Sequence, residues 1–242
     1  MKKIILTSMM FCSAFAFSQE IKYGAKAGLN ISSLRGNYPA NPDEYTTIDI
    51  KSIVGFNIGG FIEYQINEKF SIQPELLISL QGNKIITKEE FYDSLYDETY
   101  KESFTQRPKL TYLNLPIMLK YKVLEKLSIE FGPQIGYLIS AKSKWEYENA
   151  NDPSENESIE VDMINNNTYT FGGSTFEYTG KLNRLDFSLN LGSSYDLTEN
   201  VFVQARYSLG LSVLDENSTA GTSSDSWDLK NSVFQISTGY KF

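Results

Sequence analysis

LTYLNLPIMLKYKVLEKLSIEFGPQIGYLISA, residues 110–141, is the stretch that decides the fold. From Leu113 to Val123 every second residue is apolar, through Leu115, Ile117, Leu119 and Tyr121. Asn114, Pro116, Met118, Lys120 and Lys122 lie between them. After Glu125–Lys126 the alternation resumes as Leu127, Ile129, Phe131, Pro133, Ile135, Tyr137 and Ile139, opposite Ser128, Glu130, Gly132, Gln134, Gly136, Leu138 and Ser140. A period of two sends alternate side chains to opposite faces of a strand. The stretch is therefore a long β-hairpin with one continuous apolar face. A soluble sheet can carry one such hairpin, whereas a membrane barrel repeats the pattern in strand after strand with the apolar face toward lipid.

Outward from this hairpin the pattern does repeat. The spacing predicts strands over about 22–31, 53–66, 70–82, 110–123, 127–141, 184–195, 201–213 and 232–242. Short turns at Asn67–Lys69, Glu125–Lys126 and Asp196–Asn200 alternate with long connections, among them 32–51, 83–108, 142–182 and 214–228. Within the acidic insertion 142–182, Thr168–Phe171 and Ser174–Tyr178 flank Gly172-Gly173, a small hairpin with a two-residue turn. Alternate connections of an up-and-down barrel lie at the same end. The expectation is an all-β, eight-stranded antiparallel transmembrane barrel, with short periplasmic turns and long extracellular loops. Tyr64, Phe70, Tyr121, Tyr195, Tyr240 and Phe242 fall near the short-turn rim, where an aromatic girdle belongs. Pro74, Pro116 and Pro133 sit inside strands, so local bulges or lost ladder bonds are expected there.

The start, MKKIILTSMMFCSAFAFSQE, has a basic Lys2–Lys3, an apolar run Ile4–Phe17 and small residues before Gln19. It reads as a secretory signal over 1–18, cleaved near Ser18–Gln19. Its apolar run is short of the roughly 20 residues a spanning helix needs. Cys12, the sole cysteine, would leave with it, so the mature chain is expected to hold no disulfide. Loss of Lys2 and Lys3 takes the net charge from −8 to −10, which argues against nucleic acid as a partner.

Catalytic chemistry has little to build on. The chain has no histidine, the usual general base. Gly172-Gly173 lacks the Lys-Ser/Thr of a phosphate loop. Neither a catalytic residue, a metal ligand nor a cofactor is assigned. Asp152, Glu155, Glu157 and Glu160 lack the Asp/Asn-Gly spacing of a dedicated calcium loop. The charged residues on the inward face are Lys26, Glu63, Glu75, Lys120, Glu130, Asp186 and Arg206. Eight strands leave an interior just wide enough for side chains. These residues are therefore expected to form a packed polar network rather than an open conduit, with Glu63, Lys120 and Glu130 at similar depth and Arg206 reaching them through Gln204 or Lys26. The loops carry Tyr92, Tyr96, Tyr100, Trp145, Tyr147, Tyr169 and Trp227 among acidic and polar residues, a mixture suited to surface recognition.

GAKAGLNIS (24–32), QPELLIS (73–79), YLNLPIMLKYKV (112–123) and GPQIGYLIS (132–140) resemble the small outer-membrane barrels of the PorT-like "porin family" of Bacteroidetes-type bacteria. The terminal YKF, with Tyr240 and Phe242, is similar to the signal read by the barrel-assembly machinery. The resemblance implies an outer-membrane location and, as partners, membrane lipid, lipopolysaccharide and that machinery. From the name-giving member it also implies a link to a type IX secretion apparatus and so a secretion-system or extracellular protein partner. Fold does not fix function. The reading is of a non-enzymatic barrel with a structural or loop-mediated binding role at the cell surface. A role in secretion, a small-solute porin and a soluble lipocalin-like carrier stand as its alternatives.

Overall fold

A computed structural model describes residues 21–36, 45–94, 97–180, 182–214 and 229–242; the signal segment 1–18 lies outside them. The strands are β1 (Ile21–Arg35), β2 (Thr46–Gln65), β3 (Phe70–Asp93), β4 (Glu98–Lys122), β5 (Leu127–Asn149), β6 (Glu157–Asp162), β7 (Asn167–Phe171), β8 (Ser174–Tyr178), β9 (Leu185–Asp196), β10 (Val201–Gly210) and β11 (Lys230–Lys241). Eight of them close into an antiparallel ring in the order β1, β2, β3, β4, β5, β9, β10, β11. The seam runs from Gly24 opposite Lys241 to Arg35 opposite Lys230. Closure leaves no free edge around the ring, which is the condition for a sheet to cross hydrocarbon.

The alternation sorts side chains as the sequence dictates. Leu113, Leu115, Ile117 and Leu119 are exposed on the outer wall, while Asn114, Met118 and Lys120 are buried inside. Three short turns define one rim. At the first, Asn67 Oδ1 accepts the N–H groups of Lys69 and Phe70 at 2.9 Å each. At the third, Thr198 Oγ1 accepts Val201 N–H at 2.9 Å. Aromatic rings ride this rim on the outside: Phe70 lies 5.0 Å from Tyr121, and Phe242 lies 5.3 Å from Tyr240 and 6.0 Å from Tyr23.

The strands differ from expectation at the opposite end. Residues 83–108, expected as a charged loop, form the distal parts of β3 and β4, paired from Ile85–Gln106 to Asp93–Glu98. Thr46–Ser52 likewise extends β2 along β3. A 25-residue strand such as β4 is far longer than the roughly 9–11 residues that cross a bilayer, so these strands project well beyond the membrane. In β3 and β4 the alternation is silent there because neither face meets lipid. The acidic insertion adds β6 to the free flank of β5, from Lys142–Asp162 to Tyr147–Glu157. It also contributes the separate β7–β8 hairpin, whose turn glycines Gly172 and Gly173 have φ of +60° and +70°. Both values favour glycine.

The bulges are not at the prolines. Register slips occur between Ser52 and Asn57 of β2 and between Thr111 and Tyr112 of β4. Around Pro74 and Pro133 the ladder skips pairs but keeps its register. A proline removes one donor, and here the sheet absorbs that loss without an extra residue.

Candidate functional site

Four cations and four carboxylates join end to end inside the barrel. Lys26 Nζ lies 2.6 Å from Glu75. Arg206 grips both Glu75 oxygens, at 2.9 and 2.8 Å, and reaches Glu130 at 3.1 Å. Lys120 lies 3.7 Å from Glu130 and 3.5 Å from Glu63. Lys241 lies 3.8 Å from Glu63 and 2.8 Å from Asp196. The order Lys26, Glu75, Arg206, Glu130, Lys120, Glu63, Lys241, Asp196 alternates in sign along its whole length. The side chains of Lys26, Glu75 and Glu130 are fully excluded from solvent. Uncharged groups extend the network: Gln204 accepts from Lys26 and donates to Glu130, and Gln73 accepts from Lys120 and donates to Glu75. Arg206 meets Glu75 in the planar two-bond geometry that guanidinium offers a carboxylate.

This arrangement adds to the sequence reading. Glu63, Lys120 and Glu130 do adjoin one another, but Arg206 touches Glu75 and Glu130 directly, with no intermediary. Lys241, together with Asp196 at the start of the Asp196–Asn200 turn, completes the row at the rim. Asp186 lies apart from it. Its carboxylate accepts from Ser188 Oγ at 2.7 Å and from Asn231 Nδ2 at 3.2 Å, and the same amide donates to the Tyr112 hydroxyl.

Apolar side chains also point inward, which the sequence reading passed over. Phe61 and Phe202 meet edge to face at 5.6 Å, with the Nζ atoms of Lys120 and Lys241 at 5.8 and 5.5 Å from the Phe202 ring centre. Gly239 gives Phe202 its space, since a Cβ there would overlap the ring edge. Deeper in, Asn57 donates to Asn30 and accepts from Ser237, and Asn30 donates to Ser79. At the long-connection end Leu34, Leu110, Tyr112, Leu138, Ala141, Leu214 and Leu229 form an apolar cluster, and Met163, Ile164 and Leu182 pack against it. Met163 N–H donates to Ala141 O at 2.9 Å, tying the segment after β6 to the barrel wall. Charged row, amide layer and apolar cap thus follow one another along the axis.

The loop aromatics have partners of their own. Trp145 stacks on Phe176 at 5.7 Å and meets Phe104, Phe171 and Tyr178 nearly at right angles. Tyr169 packs on Phe176 at 6.0 Å, and its hydroxyl accepts Asp162 N–H. These rings hold the β7–β8 hairpin to the projecting sheet. Tyr100 stacks on Phe91 at 5.2 Å, and Tyr92 donates to Asp97 at 2.6 Å. Tyr147 borders a cleft shared with Glu155, Glu157 and the Gly172–Gly173 turn. Tyr96 and Trp227 lie outside the described residues. The acidic residues weighed for calcium go separate ways. Asp152 accepts from Ser154, Glu155 from Asn149, Glu157 from Gly172 N–H, and Glu160 holds Lys142. Among the described residues no group of three or more His, Cys, Asp or Glu side chains is placed to hold a metal.

Comparison with known proteins adds a family. The model of the "Outer membrane protein beta-barrel domain" family matches residues 17–216. No curated protein matches the chain in sequence. Among solved structures, the attachment invasion locus protein Ail of Yersinia pestis, crystallised with the heparin analogue sucrose octasulfate, is 14% identical with a TM-score of 0.42; 92% of this chain and 99% of that one are covered. Neisserial surface protein A is 10% identical with a TM-score of 0.36, covering 93% and 99%. The outer membrane protease OmpT of Escherichia coli is 13% identical with a TM-score of 0.31, covering 93% and 96%.

Proposed function

The chain belongs to the outer membrane protein β-barrel family, and we propose that within it this molecule is a closed, non-enzymatic barrel that presents its long connections to the exterior for binding or surface structure. The alternating row of eight charges carries the reading. Each charge buried without a partner costs several kcal/mol, so the folded state favours mutual pairing over a water-filled channel. Charges that pair with one another are not offered to a passing solute. The apolar cluster beneath the loop end supports closure at the second mouth. The absence of histidine from the sequence, and carboxylates engaged by cations in the lumen, support a role without catalysis. Recognition then falls to the projecting β3–β4 hairpin and the acidic insertion.

Planar-bilayer recording on purified protein tests this. The expected trace is a flat baseline; steady, large single-channel currents would make the molecule a small-solute porin instead.

A further inference from the structure

One buried carboxylate stands outside the row of charges. The row itself is balanced, with Lys26, Arg206, Lys120 and Lys241 against Glu75, Glu130, Glu63 and Asp196. Asp186, on β9, is buried as well. Among the described residues no Lys or Arg forms an ion pair with it. Its Oδ2 accepts from Ser188 Oγ at 2.7 Å and its Oδ1 from Asn231 Nδ2 at 3.2 Å, and both donors are neutral. Among the described residues, the barrel interior therefore carries one negative charge more than its cations answer. Burying an uncompensated charge is strongly unfavourable. Apolar surroundings are close at hand, since Tyr112 of the apolar cluster shares Asn231 with Asp186.

A second group points at the same place. The register sets Asn114 of β4 opposite Gly136 of β5, and Gly136 opposite Asp186 of β9. Gly136 has no side chain to fill the middle of that rung. A Cβ there would stand 2.6 Å from Asn114 Oδ1, 3.3 Å from the Tyr112 ring and 3.4 Å from Asp186 Cβ. Amide and carboxyl therefore lean over the glycine from either side. Asn114 is 1% exposed, and among the described residues neither its Oδ1 nor its Nδ2 has a hydrogen-bond partner. The large majority of buried side-chain polar atoms have one. Two inward positions along β9 from Asp186, Asn190 Oδ1 is likewise buried without a donor among the described residues. The region is short of positive charge and rich in oxygens with lone pairs to spare.

We propose that Asp186 and Asn114 hold one monovalent metal cation, of the sodium class, inside the barrel. Carboxylate, amide and hydroxyl oxygens are hard donors suited to such an ion. Asp186 supplies the charge, Asn114 Oδ1 faces it across Gly136, and the hydroxyls of Ser188 and Tyr112 adjoin it. Charge selects the ion, because one carboxylate neutralises one positive charge and a divalent ion would leave the excess buried. A water molecule would satisfy the amide but not the charge. A proton on Asp186 would cancel the charge but serve a single acceptor, whereas a metal ion gathers several oxygens at once. The proposal rests on the reading of a closed lumen, since an open channel would hydrate Asp186. Conductance and the cation response below are separate measurements, so each can fail alone.

Purified full-length barrel is unfolded in urea and refolded into detergent at constant ionic strength, with sodium chloride replacing choline chloride stepwise. The folded fraction is read from the compact, heat-modifiable band on a gel. For one site, the ratio of folded to unfolded protein should rise about tenfold for each tenfold rise in sodium once the site begins to fill. Asp186→Asn removes the charge and should make the ratio the same in both salts. Asn114→Leu keeps the charge and should move the response to about tenfold higher sodium, as expected for one lost contact to a charged group; it serves if Asp186→Asn does not fold. Crystals grown with thallous ion in place of sodium should show its anomalous signal between Asp186 and Asn114. An equal ratio in the two salts, or a sodium response that survives in Asp186→Asn, overturns the proposal. So does a gain on acidification without any sodium response, which would assign the missing charge to a proton.

Discussion

Arg206 is the residue on which the lumen depends most. Its guanidinium serves two buried carboxylates, Glu75 and Glu130. Arg206→Met strips both of that partner, and breaking a buried pair from one side costs about 3–5 kcal/mol. The expected result is a lower denaturant midpoint in detergent with an unchanged slope. Gly239 offers an independent check on packing. Gly239→Ala drives a methyl into the Phe202 ring, a small overpacking worth about 1–3 kcal/mol. Adding Phe202→Leu should restore part of that loss; no recovery in the double variant would mean that the ring is not the obstacle. At this scale much of the site was legible in the sequence. Phe61, Leu77, Asp196, Phe202 and Lys241 all keep the phase of the inward residues on their own strands. Phe61, Leu77 and Phe202 are hydrophobic and look like outward residues by type. Asp196 sits where strand becomes turn. Residue type or proximity to a turn obscured Phe61, Leu77, Phe202 and Asp196, although their phase marks them as inward.

The ring strands were legible as elements because lipid on one side and a packed lumen on the other enforce period two. Beyond the membrane that constraint ends. The distal parts of β3 and β4 put charges on both faces, and only the pairing partner marks them as strand. The β7–β8 hairpin was readable because its turn needs two residues at positive φ and the sequence supplies Gly172-Gly173. Its anchoring on Trp145 gives an optical handle. The turn after β6 is held by Asp162. Burial opposes ionisation of this carboxyl, but hydrogen bonds from the Asn165 side chain and from the Ile164 and Asn165 N–H groups hold it below the usual aspartate range. A depressed value means that the carboxylate contributes stability above the unfolded-state value and loses it as pH falls through the folded one. In a Trp227→Phe background, Trp145 is the remaining tryptophan. Its fluorescence should shift reversibly on acidification below the usual aspartate range. In Asp162→Asn that shift should be absent; an identical acid shift there would assign it to another group.

For the whole molecule, the closed ring and the family match agree on an outer-membrane barrel, and orientation is the next quantity to measure. Single cysteines at Asp97 or Asn165 should react with an impermeant thiol reagent on intact cells. Cysteines at Glu68 or Glu125 should react only after the outer membrane is opened. The reverse pattern would turn the barrel over. Topology was legible because long and short connections alternate. The length of the projecting sheet was not, since connection length alone does not distinguish a loop from a hairpin.

The seam between β1 and β11 also sets a timetable. Lys26 finds Gln204 178 residues further along the chain, and Glu75 finds Arg206 131 residues further along. During export these charges remain hydrated, because their partners have not yet arrived. The first strand can be completed only by the last one, and contacts of such long separation make for slow, late assembly. A chain ending before β11 should therefore give no smaller barrel, only an unfolded form that migrates identically heated and unheated. The row of charges forms when the ring shuts, so neutralisation of the interior and closure of the wall are a single event.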